Sequence, residues 1–415
     1  MRNRPMMFGF WIFLLGVTGA QAAPSLSGQG LLPTETARPL IEQDPSVIAA
    51  CATLEAAKQE AGILEASPYE WTAKFSGQRR AVDTSGSNSR EWNAGVERTL
   101  RLPNKASADR RIGEATVMEA EARYGEARRQ AARELLALWL DWLAAVQAQE
   151  LASTNRQSAQ ENLDAVDKRS RAGDASKLDR NLAQGALSEQ RRVENDAKTN
   201  ANVAWGRLNG RFPGLGRPTT AFPVPVPIDE DIASWRDRIL TQSNALKLSH
   251  AQLQKAQAQS GRARAEKIPD PTVGVFTASE VYGHERITGV SISIPIPGGQ
   301  RGRRSEQSEF LAKAASQDME LMKRQLDMDI ASAIATAQGA YAGWEIAESG
   351  MSAMQESARL MQRAYTLGEA DLQALLLVRL QATAAAQNAL AARAAALKAN
   401  YQLLIDANLV WDLDK

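Results

Sequence analysis

The chain has 415 residues, and its 49 lysines and arginines nearly balance its 48 aspartates and glutamates, which excludes the polycationic surface of a nucleic-acid-binding protein. Two histidines and one cysteine leave little material for a metal site or a disulfide framework. Aromatic residues make up only 6% of the chain, a composition that suits long helices better than a thick globular core.

The first 22 residues are predicted to be a signal peptide. Arg2 and Arg4 form a short basic region, an apolar stretch follows, and Ala-Gln-Ala at 20–22 fits the small-x-small rule for cleavage. The apolar stretch is short for the alternative, a membrane anchor, and no later segment offers about 18 apolar residues without charge. We therefore expect an exported protein without a transmembrane helix, whose mature chain begins with an extended segment over 23–40.

The rest of the chain is predicted to consist of two copies of one unit. With an offset of 194 residues Pro103 matches Pro297, and with an offset of 195 residues Gly173 matches Gly368. Such matches stay in register over more than 100 residues and fall on positions that interrupt helices or strands. A tandem repeat explains this pattern better than chance does.

Each copy is predicted to run as a helix, two strands, a long helix, a glycine break and a return helix. Each long helix covers about 68 residues, roughly 100 Å at 1.5 Å per residue, which no globular domain needs. A proline-rich segment separates the copies, because proline cannot continue a helix. The predicted boundaries are 41–210 for repeat 1 with its hairpin at about 68–102, 211–228 for the linker, and 229–412 for repeat 2 with its hairpin at about 271–297.

The strands of both hairpins alternate between apolar and polar residues, which is typical of a sheet with one apolar face. Their length of about 10 residues also matches a membrane-crossing strand. Because the polar faces bear full charges, we interpret them as the wetted lumen of a barrel; a soluble sheet lying on a core is the alternative. The predicted lumen residues are Glu70, Lys74, Glu97 and Arg101.

Four strands cannot close a membrane barrel, since the smallest such barrels have eight. An open sheet edge in lipid would leave unpaired backbone groups that cost several kcal/mol each. If the strands lie in a membrane, several chains must therefore contribute their hairpins to one barrel. Two chains would give eight strands and a lumen filled by side chains, and three would give twelve strands and an open pore.

With these features the sequence resembles the TolC-like outer-membrane efflux proteins. The resemblance covers about 40–412 and rests on the tandem repeat, the paired hairpins, the Gly-(Asp/Glu)-Ala turns at 173–175 and 368–370, and the proline-rich middle. It implies a mostly α fold with a small membrane β part. The chain would be the protomer of a homotrimer, whose twelve-stranded barrel lies in outer-membrane lipid and continues as a long periplasmic α-helical barrel.

The resemblance also implies partners and a cargo. Members of this family dock onto a periplasmic adaptor (membrane fusion) protein and an inner-membrane pump, here expected to be of the RND type. The compact size and short strand loops resemble the cobalt-zinc-cadmium branch, which exports heavy-metal cations. The resemblance therefore predicts a passive exit duct in a tripartite efflux system.

The two glycine turns are predicted to lie at the inner mouth of this tunnel. Gly173 and Gly368 end their helices through a left-handed conformation, which glycine adopts without steric cost. Acidic residues follow each glycine, and helix capping is one explanation for them. The other is a gate, in which rings of carboxylates select cations, and the resemblance points the same way. The predicted gate residues are Asp371, then Glu369 and Asp174, with Tyr365 as a latch.

The sequence contains no nucleophile–base constellation and no metal-ligand cluster, so we expect neither an enzyme nor a cofactor. The glycines of Pro297–Arg304 lack the lysine of a phosphate loop and are better explained as a bend between strand and helix. A duct for drug efflux or type I protein secretion is an alternative within the same class. A periplasmic adaptor and a secreted coiled-coil protein are alternatives of other classes.

Overall fold

The computed structural model contains the predicted order of helices and strands in each half of the chain. It describes residues 30–82, 86–217, 220–228 and 231–413, so the predicted signal peptide lies outside the described residues. The helices are α1 (Thr34–Glu42), α2 (Pro45–Glu65), α3 (Pro103–Ala172), α4 (Lys177–Arg211), α5 (Ile232–Gln242), α6 (Asn244–Ala265), α7 (Gln300–Leu367) and α8 (Leu372–Asp406). The strands are β1 (Thr72–Val82), β2 (Ser87–Thr99), β3 (Thr272–Glu280) and β4 (Glu285–Ser293).

The long helices α3 and α7 have 70 and 68 residues, which corresponds to about 100 Å at 1.5 Å per residue. The end beside the strands is called the upper end below, and the end at the glycine turns is called the tip. Towards the tip, α4 packs along α3 and α8 packs along α7. Towards the upper end, α2 and α6 pack on α3, and α6 also packs on α7. Within the described ranges, no helix has a stretch both long and apolar enough to span a bilayer.

The N-terminal segment differs from the prediction of an extended chain up to residue 40, because α1 already begins at Thr34. Ala37 and Ile41, one helical turn apart, are both 0% exposed, in a core that includes residues of α3. Pro39 lies inside α1 and removes one backbone hydrogen bond. The burial of the apolar side chains outweighs that loss, an effect of tertiary packing that local sequence does not reveal.

The strands are shorter than the predicted hairpins at about 68–102 and 271–297. The proline residues explain the ends of the second hairpin, because proline cannot donate to the hydrogen-bond ladder of a sheet. β3 begins just after Pro271, and β4 ends two residues before Pro295. In the first hairpin Pro103 already belongs to α3.

The two hairpins join into one antiparallel sheet in the order β1-β2-β3-β4, with β1 and β4 at its edges. Residues of β2 and β3 pair across a gap of more than 170 positions, for example Val96 with Val275. One face of the sheet is apolar and exposed, as shown by Phe75 (82%) and Val290 (76%). The polar residues of the predicted alternation lie on the other face.

The main core lies at mid-height, where α1, α5 and the ends of α4 and α8 meet the middle of α3 and α7. Trp139 of α3 is 1% exposed and contacts Trp142, with 5.2 Å between ring centroids. Its indole N–H donates to the carbonyl oxygen of Gly30 over 2.8 Å. This core therefore fixes the N-terminal segment against the long helices.

The proline-rich linker is held against α8 by side-chain donors. Arg393 donates to the carbonyl oxygens of Phe222 and Pro223 over 2.6 and 2.7 Å, and Asn400 donates to that of Val226 over 2.6 Å. Proline has no backbone N–H, so this segment cannot form a helix of its own, and its carbonyl groups need other partners. These bonds fix the crossing between the repeats at mid-height.

Candidate functional site

The two glycine turns at the tip have the same backbone geometry. Gly173 and Gly368 adopt φ values of 88° and 79°, in the left-handed region. In each turn the N–H of the following residue donates to the carbonyl five residues earlier, over 2.8 Å after Gly173 and 2.9 Å after Gly368. This pattern closes a helix end and requires glycine, so the prediction of two glycine helix stops agrees with the observed geometry.

The helix that leaves each turn is capped by a side chain at equivalent positions of the two repeats. The Asp371 carboxylate accepts a hydrogen bond from the Ala374 N–H over 2.7 Å. The residue 195 positions earlier is Ser176, whose hydroxyl accepts from the Asp179 N–H over 3.0 Å. Both residue types are good helix N-caps. The repeats therefore share the cap, and only repeat 2 adds a negative charge at this position.

The other two acids form no capping hydrogen bond in the structure. Asp174 and Glu369 each lie two residues before the capping residue, where a carboxylate is not positioned to accept from the first helical N–H groups. Both are exposed, and neither carboxylate has a hydrogen bond or ion pair among the described residues. They are two negative charges at the tip whose role in a gate stays a prediction.

Tyr365 contacts the other repeat through its ring. It is 8% exposed and belongs to a small apolar cluster with Val166 of α3 and Leu375 of α8. The Arg169 guanidinium lies 5.1 Å from the ring centroid, within the range of a cation–π contact. This contact joins α7 to α3, and the role of Tyr365 as a latch stays a prediction.

Arg379 is a tip residue that the sequence analysis missed. From α8 it donates to the Gln362 side-chain oxygen over 2.6 Å and to the Ser158 carbonyl oxygen over 3.3 Å. Burial lowers the pKa of its guanidinium, while Glu161 opposes that shift. The sequence feature that could have identified it is an arginine inside an Ala/Leu-rich helix. When the apolar face of such a helix is buried, the charge of the arginine needs partners. Arg379 links α8 to both long helices.

These tip residues surround an open cavity of about 600 Å³ between α3 and α7. Its lining includes Arg169, Asp174, Tyr365 and Arg379, so both signs of charge face it. Within the described chain, no group of three or more His, Cys, Asp or Glu side chains is arranged to hold a metal ion. The tip can therefore guide ions by charge, and its geometry indicates no tight cation site.

Two of the four predicted lumen residues lie together on the polar face of the sheet. Lys74 of β1 and Glu97 of β2 form an ion pair with 2.7 Å between Nζ and Oε2. Nearer the hairpin tips, Arg80 contacts Glu91 and Glu280 at 3.1 and 3.3 Å. This face is a ladder of paired charges, as a wetted surface permits.

The other two predicted lumen residues lie outside the strands. Glu70 is exposed and precedes β1. Arg101 follows β2 and donates to the carbonyl oxygens of Leu64 and Glu65, both over 2.7 Å, and to Asp109 over 3.1 Å. Arginine satisfies the otherwise unpaired carbonyls at the end of α2. The strand pattern continues in the sequence past Thr99, but the bonds of Arg101 place it at the junction of sheet and helices.

The same junction contains a buried ion pair. Lys105 and Asp270 lie 2.9 Å apart, and their side chains are 3% and 4% exposed. Asp270 also accepts from the Tyr69 hydroxyl over 2.8 Å and from the Leu102 N–H over 3.0 Å. Burial, together with the bond to Asp270, raises the pKa of the Tyr69 hydroxyl. These bonds connect the starts of α3, β1 and β3, so the junction is positioned to hold the sheet at a fixed angle to the helices.

Comparison with known sequences gives one family. The sequence model of the outer membrane efflux protein family matches the chain over residues 37–210 and 235–408. These two segments correspond to the two repeats. No curated protein gives a significant sequence match.

Solved bacterial structures share the fold over nearly the whole chain. The CmeC outer membrane channel of Campylobacter jejuni gives a TM-score of 0.75 at 14% identity, with 92% of this chain and 86% of that chain covered. A membrane protein from Pseudomonas aeruginosa gives 0.75 at 16%, with 96% and 97% covered. The open state of the MtrE channel of Neisseria gonorrhoeae gives 0.72 at 18%, with 92% and 90% covered. The chain therefore belongs to the outer membrane efflux protein family, with a TolC-like fold, and is placed in the outer membrane with its helices extending into the periplasm.

Proposed function

We propose that three copies of this chain form a passive, non-enzymatic exit duct through the outer membrane. Each copy contributes its four strands to a barrel of twelve, and the helices continue the barrel as a periplasmic tube. The observation that supports this most strongly is the sheet, which combines an exposed apolar face, an ion-paired polar face and two unpaired edges.

The edges favour closure by neighbouring copies. Among the described strands, β1 pairs only with β2 and β4 pairs only with β3. In hydrocarbon every unpaired backbone group costs several kcal/mol, so an open edge is not tolerated. Two copies would give eight strands and a filled lumen, whereas three give twelve strands and a passage.

The helices also favour a neighbouring copy. In the upper half of α7, Phe310, Leu311 and Leu321 are 59–67% exposed. In α2, Ile48 and Ile63 are 55% and 72% exposed although α2 packs on α3. Burial of apolar surface contributes about 25 cal/mol per Å². We infer that α2 of the next copy packs on the upper half of α7 and closes the tube.

The apolar face carries tryptophans at two heights, as a membrane barrel does. Trp71 and Trp92 belong to this face and are 66% and 48% exposed. Trp92 pairs with Gly77, six positions after Trp71, which corresponds to about 20 Å along the strand. Because the strands of outer-membrane barrels are tilted by about 40°, this length is about 15 Å of height. The two tryptophans therefore fit within the apolar band of such barrels, which is about 25 Å tall.

The proposed cargo is heavy-metal cations. Rings of Asp371, Glu369 and Asp174 in a trimer would favour cations over anions at the tip. An RND-type inner-membrane pump would supply the energy, and a periplasmic adaptor would connect the pump to the tip. Drug efflux or type I protein secretion is the second candidate, because exposed acids select by charge and not by chemical identity. The periplasmic adaptor considered from the sequence is a different class from the matched family.

Metal tolerance tests the cargo. Deletion of the gene in its host is expected to lower the tolerated concentration of cobalt, zinc or cadmium salts, because the exit path is lost. Re-expression of the full chain should restore that tolerance. Unchanged metal tolerance together with increased drug sensitivity would support the second candidate instead.

Replacing Arg379 with alanine is expected to raise the fraction of time for which single channels are open in planar bilayers. The change removes the bonds from α8 to Gln362 and Ser158. A hydrogen bond to a charged group contributes about 1.5–3 kcal/mol, so the open fraction should rise about tenfold or more.

Arg359→Ala is the matched control for Arg379→Ala. Arg359 lies on α7 and forms an ion pair with Glu356 of the same helix. The Arg359→Ala variant therefore loses a charge near the tip without losing a link between helices. Equal changes of the open fraction in the two variants would show that charge, and not the link, controls opening.

A further inference from the structure

The apolar face of the sheet bears an unbalanced set of positive charges. The register places all acidic residues of the four strands on the polar face, where they offset Lys74 and Arg80. The apolar face has no acidic residue among the described strand positions. It has four arginines, which are Arg79, Arg90, Arg98 and Arg286.

Three of these arginines have no counter-charge among the residues that the structure describes. Arg79 and Arg90 are direct partners across β1 and β2, an arrangement that is destabilising for like charges. Neither they nor Arg286 of β4 form a hydrogen bond or an ion pair with any described residue. All three are exposed. Arg98 differs, because it donates to the Tyr69 carbonyl oxygen.

The positions of these arginines match one border of the apolar band. Arg90 lies two residues beyond Trp92 towards the hairpin tips and eight residues from Arg98, about 26 Å along the strand. At a strand tilt of about 40°, that length is about 20 Å of height, which is most of the band of about 25 Å, so Arg90 lies near one border. The helices leave the sheet at the opposite end, towards the periplasm. Arg79, Arg90 and Arg286 therefore face the outer leaflet.

We propose that Arg79, Arg90 and Arg286 bind the phosphate groups of lipid headgroups in the outer leaflet. Guanidinium groups bind phosphate through pairs of parallel N–H bonds, and no carboxylate at the described strand positions of this face competes for them. Bound phosphate offsets the repulsion between Arg79 and Arg90 and fixes the height of the barrel in the membrane. The proposal rests on the proposed duct, because it requires the sheet to lie in lipid.

Titration of the purified full-length protein in non-ionic detergent with bis-phosphorylated lipid A tests the proposal. The triple variant Arg79→Gln, Arg90→Gln and Arg286→Gln is expected to bind lipid A at least about tenfold more weakly than the wild type. The wild type should bind lipid A that lacks its phosphates about as weakly as the triple variant binds intact lipid A. Inorganic phosphate at millimolar concentration should not displace the lipid.

A second triple variant controls for net charge. Arg303, Arg304 and Arg324 are exposed arginines of α7, outside the strands, and their replacement by glutamine removes the same charge. This variant should bind lipid A like the wild type. The proposal would be overturned if the strand variant binds lipid A as tightly as the wild type, or if both triple variants lose the same affinity. It would also be overturned if wild-type binding does not depend on the lipid phosphates, or if inorganic phosphate displaces the lipid.

Conductance in bilayers of phosphatidylcholine separates this proposal from the duct itself. All variants should form channels there, because each phosphate of phosphatidylcholine is balanced by its own choline cation and the variants then differ little in their attraction to the lipid. If the strand variant forms channels and binds lipid A as tightly as the wild type, the phosphate site is rejected and the duct is not. If the wild type forms no channels, the duct itself is rejected.

Discussion

Replacing Lys105 with methionine should lower the free energy of unfolding by about 3–5 kcal/mol, the range measured when one partner of a buried ion pair is removed. The Asp270 carboxylate would then stay buried without its counter-ion, which now lies 2.9 Å away. The junction between sheet and helices depends on this pair, so assembly should weaken as well. The measurement is the midpoint of thermal unfolding of the purified protein, followed by circular dichroism.

The double variant Lys105→Met with Asp270→Asn is the control. Asparagine keeps an oxygen that can accept from the Leu102 N–H or the Tyr69 hydroxyl, and it leaves no buried charge. The double variant should therefore unfold at a higher temperature than Lys105→Met alone. If the Lys105→Met variant unfolds at the same temperature as the wild type, the pair does not stabilise the junction.

Asp270 also predicts a dependence of stability on pH. Burial alone would raise its pKa, but hydrogen bonds from Lys105, Leu102 and Tyr69 outweigh burial and hold the pKa below its usual value. A carboxylate of this kind stabilises the fold above its unfolded pKa of about 3.9, and the stability is lost as pH falls through the folded value. The thermal midpoint should decrease below about pH 4, and less so in Asp270→Asn.

Removing the charge of Asp371 while keeping its cap should lower cation selectivity and raise conductance. Serine fits this purpose, because Ser176 caps the equivalent helix of repeat 1. Asp371→Ser therefore tests the carboxylate ring alone. Asp371→Ala removes both the charge and the hydrogen bond to Ala374, and it should also lose about 0.5–2 kcal/mol of stability. The measurement is the reversal potential and conductance of single channels under a salt gradient.

The two Asp371 variants separate gating from capping. If the charge forms part of the gate, Asp371→Ser and Asp371→Ala change selectivity to a similar extent. If the residue is only a cap, Asp371→Ser behaves like the wild type and Asp371→Ala is merely less stable. Ser176→Ala supplies the stability effect of losing a cap without any change of charge.

Much of the fold follows from local sequence signals, because those signals are strong in this chain. Alternation of period two located both hairpins, and glycine positions located the ends of both long helices, at Gly173 and Gly368. The repeat and the family were predicted from the same features, and both are confirmed by the family match. The strand ends and α1 were less predictable, because tertiary burial of Ile41 and the bonds of Arg101 determine them.

The candidate site was only partly predictable. The sequence distinguishes glycine from its neighbours, but it does not tell which of the three predicted gate acids caps a helix. Among these three, only Asp371 does so. Arg379 and the Lys105–Asp270 pair depend on contacts between segments more than 150 residues apart. Such pairs leave no periodic pattern in a single sequence. The gate itself depends on neighbouring copies, which one chain cannot define.

The count of chains in the particle extracted from the outer membrane tests the trimeric duct most directly. Native mass spectrometry of the detergent-solubilised protein should give a single species of three chains, because three copies of the four-stranded sheet close a barrel that leaves a passage. A monomer, or a dimer whose eight strands would leave no open lumen, would contradict the account.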